Sequence, residues 1–72
     1  MVILKEAEYR HDAEGKRIAE VTLHTDDLST LPTDAADIEG LLEDDVLGEG
    51  SVALDVTSGS ISMFDGTQWN NW

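Results

Sequence analysis

The sequence predicts a mainly β fold: a small antiparallel sheet, or sheets, of two hairpins with a short helical or turn connection between them. Three observations lead there. Residues 51–69, SVALDVTSGSISMFDGTQW, alternate apolar and polar side chains around two glycine turns, the period of a half-buried strand pair. Val2-Ile3-Leu4 and Ile18–Leu23 are rich in β-branched residues on either side of a polar loop. Residues 25–50 are acidic and broken by Pro32, Gly40, Gly48 and Gly50, which excludes a long helix there. With 72 residues, the chain is one domain.

The first hairpin is expected within residues 1–24, as strands at about 2–10 and 17–24. The loop His11–Lys16 joins them, with Gly15 in the left-handed position that glycine adopts without steric cost. Glu8 and Arg17 are candidates to face each other across the pair. The helix formers in KEAEYR and HDAEGKRIAE leave a helical reading of this segment open, although Gly15 interrupts it.

In the connection, Thr25 is a candidate cap for one helical turn, with Asp26 and Asp27 set against its free N–H groups. Pro32 stops that turn and pushes Leu31 toward extended geometry. Thr33 opens a second short turn over Asp34–Glu39, closed by Gly40, while Ile38, Leu41 and Leu42 anchor the segment to the sheet. Glu43-Asp44-Asp45 is expected to be exposed, and Val46-Leu47 leads into the Gly48-Glu49-Gly50 break. In the second hairpin, Val52, Leu54 and Val56 share one face, with Ala53, Asp55 and Thr57 on the other. Ser58-Gly59 makes a two-residue turn, Ile61 and Met63 resume the alternation, and Asp65-Gly66 turns again. Trp69 then folds back over the apolar face, and Asn70-Asn71-Trp72 extend beyond it.

Composition narrows the function more than any motif does. The formal charge is −12, with four basic and sixteen acidic residues. Lys5, Arg10, Lys16 and Arg17 are balanced by Glu6, Glu8, Asp12 and Glu14, so the excess lies beyond residue 17, with ten acids from Asp26 to Asp55. Direct nucleic-acid binding is disfavoured, because phosphate contacts need Lys and Arg; a basic protein surface, or plain solubility, suits this charge. No cysteine is present, which removes disulfides and thiolate metal sites. No apolar run is long enough for a membrane helix, and no basic start followed by an apolar core marks a signal peptide. A domain this small buries a modest share of its surface, and a partner subunit is the staple left to it.

Candidate chemistry is thin. Asp34/Asp37 and Asp44/Asp45 are carboxylate pairs that an acidic chain acquires by chance. A calcium loop aligned on Gly40 would begin at Ala35 and end at Val46, with Asp37 and Glu39 between, so its first and last ligands are missing. His11 and His24 have no metal-ligand spacing and read as solvated. Neither a nucleophile elbow nor a phosphate-binding glycine loop occurs, so no enzyme activity and no cofactor are expected. The candidate partner-binding residues are Trp69, Trp72 and Phe64, as large aromatics near the end, and Asp44 and Asp45 as exposed charge. Of these, Trp69 also suits core cover.

From Leu31 onward the residues carry a resemblance. Leu31-Pro32-Thr33, Ala36–Leu41, Gly50–Ala53, Ser58-Gly59 with Ile61–Phe64, and Asp65-Gly66-x-x-Trp69 resemble small virion-associated proteins of tailed bacteriophages and prophages, of the head-fibre or capsid-associated type. Tyr is usual in that family where the last strand crosses the sheet, whereas Ser62 and Phe64 flank Met63 here. The resemblance implies a non-enzymatic structural part of a virion, assembled in the bacterial host. The capsid or another phage structural protein is then the expected partner, and self-association through sheet edges or the Trp72 terminus is expected with it. The alternative is an acidic nucleic-acid mimic that inhibits a basic host protein.

Overall fold

The computed structural model describes all residues, Met1–Trp72. The strands are β1 (Val2–His11), β2 (Arg17–Thr25), β3 (Val46–Leu47), β4 (Val52–Asp55), β5 (Ile61–Phe64) and β6 (Trp69–Asn71), with short 3-10 turns at Leu28–Thr30 and Ala35–Asp37. All six strands form one sheet in the order β1-β2-β4-β5-β6, with β3 also on β2. The mainly β fold and both hairpins are thus present. Residues 2–11 and 17–25 are strands, which closes the helical reading of the first hairpin.

The seam between the hairpins is parallel. Thr22–Thr25 of β2 pair with Val52–Asp55 of β4 in the same direction. A parallel pair needs a crossover rather than a turn, and residues 26–45 provide it, laid over one face of the sheet. Strands β3 and β4 read as one strand with a break. Both run along the same edge of β2, with Ile18↔Val46 and Ala19↔Leu47 first and Thr22↔Val52 later. At the break the buried Ser51 hydroxyl accepts from the Val21 N–H at 3.0 Å and donates to the Gly48 carbonyl at 2.7 Å, which supplies the missing rung.

The core forms between sheet and crossover. Ala19, Val21 and Leu23 from β2, Leu47, Ala53 and Phe64 from the neighbouring strands, and Ile38 from the crossover are buried together. Leu28, Leu31 and Leu41 pack against them from the crossover, and Val2, Leu4 and Ala7 from β1. Leu4 and Ala7 share this face only because a β-bulge at Lys5 shifts the register between Leu4↔Leu23 and Glu6↔Thr22.

Several local expectations are corrected. Arg17 lies opposite His11, and Glu8 opposite Glu20, so the Glu8–Arg17 pair does not form. Asp27 and Asp34, not Thr25 and Thr33, cap the two short turns: their carboxylates accept from the Ser29 and Ala36 N–H groups at 2.9 and 3.1 Å. The turn after β4 is longer than Ser58-Gly59. Leu54 pairs with Ile61, and the Asp55 carboxylate holds the loop through the N–H groups of Thr57 and Ser58 at 2.8 and 3.1 Å. Residues 69–71 do not trail away. They form the last strand, with Phe64 opposite Trp69 across a turn in which Gly66 has φ +101°.

The largest correction concerns which face of the second hairpin is inside. Ser51, Ala53, Ser62 and Phe64 are buried, whereas Val52, Leu54 and Met63 are half-buried and Val56 and Ile61 exposed. The bulky stripe faces away from the core because the crossover leaf already fills the space on the other side, where small residues let it approach.

Candidate functional site

The face of the sheet left uncovered by the crossover is the site this fold builds. Register places Ile3, His24, Leu54 and Ile61 side by side across β1, β2, β4 and β5. The Trp72 N–H donates to the Ile61 carbonyl at 2.8 Å, so Trp72 continues the row at the β6 end. A second row, Thr22, Val52 and Met63, runs beside it, and Val56 lies beyond Leu54. Exposure is high for apolar side chains: Ile3 50%, Val56 58%, Ile61 41% and Trp72 80%. Next to Ile3 an open hollow of about 300 Å³ is lined by Met1, Ile3, His24, Thr25, Asp26 and Val56. The opposite half of this face is polar, with Glu6, Glu8, Arg10 and Glu20; Arg10 donates to Glu20 at 3.3 Å.

The opposite side of the molecule is acidic. Asp27, Asp34, Asp37, Glu39, Glu43 and Asp44 are exposed on the crossover. The two sides therefore differ in chemistry: the bare sheet is apolar over one half, and its cover is anionic.

The five candidate partner residues separate on this geometry. Trp72 lies on the open face, and Asp44 is exposed on the crossover. Phe64 is buried in the core, and Trp69 packs on it with ring centroids 5.2 Å apart. The Trp69 indole N–H donates to the Pro32 carbonyl at 2.8 Å, so this side chain pins the crossover, the role of core cover. Asp45 is buried, not exposed. Both its oxygens accept from Arg17, from Nε at 2.8 Å and from the terminal nitrogen at 2.6 Å, and one also accepts from the Leu42 N–H at 2.9 Å. The Tyr9 ring stacks under the guanidinium at 3.9 Å. The Arg17 hydrogen bond holds the Asp45 carboxyl below the usual carboxylate range, against the opposing effect of burial.

Asp26 is lowered by its hydrogen bond to the N-terminal ammonium at 2.6 Å, and two other shifted carboxyls are turn builders. Asp65 is lowered by the N–H groups of Gln68 and Thr67, both at 2.8 Å. Asp27 is lowered by the Ser29 hydroxyl at 2.6 Å and the Ser29 N–H at 2.9 Å. Each accounts for its shift by shaping backbone, and none faces a second acid–base group across a cleft. His11 is exposed and His24 half-buried.

Sequence reasoning missed Ile3, Leu54, Val56, Ile61 and Met63 as surface. The available signal was parity: Ser51, Ala53 and Ser62 are small, and a face of small residues suits close approach of a covering segment. No protein-family model, curated protein or solved structure matches this chain. What fold and surface define is a small mixed-sheet β domain covered on one face and open on the other.

Proposed function

We propose that this chain is a non-enzymatic structural component of a tailed-phage particle, a small head- or capsid-associated protein that acts through protein–protein contacts in the virion. One observation carries the contact role: a row of apolar side chains, interrupted by His24, crosses the sheet uncovered, with Trp72 80% exposed. Monomeric soluble proteins rarely leave contiguous apolar patches beyond a few hundred Å², and larger ones mark interaction sites. The sequence resemblance to virion-associated proteins supplies the setting. The test is quantitative mass spectrometry of gradient-purified particles from the phage or prophage that encodes the chain. A fixed copy number per particle is expected, and its absence from washed, intact particles refutes the assignment.

A second reading is favoured by a different observation, the exposed acids of the crossover, Asp27 to Asp44. In it the chain mimics nucleic-acid charge and blocks a basic host protein. Binding of that kind weakens steeply with added salt, whereas contacts through the apolar face do not.

A further inference from the structure

We infer that the open sheet face pairs with the same face of a second copy, in a two-fold sandwich that sets Trp72 of each chain against Ile3, His24 and Val56 of the other. This deepens the contact role proposed above and rests on it for the use of this face.

Three features favour a second copy. The first is shape. The row Ile3–His24–Leu54–Ile61–Trp72 carries a projecting side chain at one end and a hollow of about 300 Å³ at the other. A two-fold axis parallel to the strands, lying between two stacked sheets, reverses the row and leaves strand direction unchanged. Each Trp72 then falls over the partner's hollow, and the contact satisfies itself twice, as an isologous interface must. Face-to-face sheets stack at about 10 Å, the spacing that interdigitated Leu, Ile and Met side chains fill.

The second feature is area. Five strands at about 4.8 Å spacing, with two to three alternate residues on each, give a face of roughly 24 by 17 Å, or about 400 Å² in plan, in which Glu6 and Asn70 form polar ends to the second row. Two such patches bury on the order of 1,000 Å², at the low end of specific interfaces. The pairing is therefore weak and concentration-dependent.

The third feature is charge. Between β2 and β5 the two rows contain no carboxylate; Glu6 ends the second row on β1, and Asp26 at the hollow is paired with the N-terminal ammonium at 2.6 Å, while Asp27, Asp34, Asp37, Glu39, Glu43 and Asp44 sit on the crossover on the far side of the sheet. Face-to-face pairing puts both sheets between the two acidic layers. Each copy still carries −12, so the chains repel at distance and salt screens that repulsion. Edge-to-edge pairing through β1 is the competing arrangement, and its bulge at Lys5 and its charged side chains oppose it.

Sedimentation velocity of the full chain across a concentration series, at low and high salt, tests the pairing. A monomer–dimer equilibrium that tightens with salt is expected. Trp72→Ala and Val56→Glu should each weaken it by about tenfold or more, with circular dichroism and the melting temperature of the dilute monomer unchanged, since both side chains are exposed. A chain that stays monomeric at millimolar concentration in high salt overturns the inference. So does a dimer that both variants leave intact, which points to a sheet edge, β1 or β6, instead. A monomer found at fixed copy number on particles refutes the pairing alone and leaves the virion role standing.

Discussion

The replacement Ser51→Ala tests how the sheet survives the break between β3 and β4. The Ser51 hydroxyl lies fully buried, accepting from Val21 N–H at 3.0 Å and donating to the Gly48 carbonyl at 2.7 Å. Alanine keeps the backbone and nearly the same volume but removes both bonds. The Gly48 carbonyl keeps a partner, because the Ser51 N–H also reaches it at 3.2 Å. Val21 N–H loses the hydroxyl inside a buried strand, and an orphaned buried donor costs about 1–3 kcal/mol. For a domain of this size each kcal/mol shifts the melting temperature by about 4–8 °C. The expected loss is therefore about 5–20 °C in differential scanning calorimetry, with hydrogen exchange at Val21 accelerated more than at Leu23. Ser60→Ala, at an exposed site in the next loop, should stay within about 0.5 kcal/mol of the parent. If Ser51→Ala matches that control and Val21 stays protected, the serine rung is dispensable and the break is spanned some other way.

Three further outcomes follow from other contacts of the fold. Trp69→Phe retains stacking on Phe64 but loses the bond to the Pro32 carbonyl, so chemical denaturation should show a loss of about 0.5–1.5 kcal/mol, while Trp72→Phe leaves the midpoint unchanged. Asp27, Asp45 and Asp65 all have folded-state carboxyls below their ordinary value, so their stabilisation is complete above the unfolded value near 3.9 and is lost as pH falls through the lower folded values. Melting temperature should hold between about pH 5 and 8 and drop below about pH 4. Asp45→Asn should lower it at neutral pH and flatten the acid limb, and an acid limb as steep as the parent's would remove Arg17–Asp45 from the account.

The parts of the fold governed by local chemistry were legible. Strand boundaries in the first hairpin follow from Val2–Leu4, Ile18–Leu23 and the Gly15 loop, because side-chain branching and one positive φ of +84° act within a few residues. Parity was not legible, since alternation says that two faces differ and not which one is covered. The bulge at Lys5 and the long Asp55–Ser60 loop each change register without a compositional mark strong enough to place them. The strand at Trp69–Asn71 was hidden because Asn70 and Asn71 have poor strand propensity; pairing with β5 and the Trp69–Pro32 bond hold it in place. Asp45 shows the same limit. Within Glu43-Asp44-Asp45 the three acids look alike, and only the approach of Arg17, 28 positions away, makes one of them interior.

These misreadings share a cause that bears on function. A sheet in a single small domain has two faces but only one covering segment, and this chain spends its covering segment on the side with Ser51, Ala53 and Ser62. Small side chains there let the crossover lie close, so Ile38 enters the core and Leu31 and Leu41 pack against it from the far side. Apart from Phe64 and Trp69, the bulky residues of the second hairpin are consequently surplus to the interior and stand on the open face, where solvent contact costs about 25 cal/mol for each Å² of apolar surface. That cost is carried by a chain whose remaining surface is strongly charged. Keeping Leu54, Ile61 and Trp72 in one register row, with Val52 and Met63 in the row beside it, gives a second surface something continuous to cover.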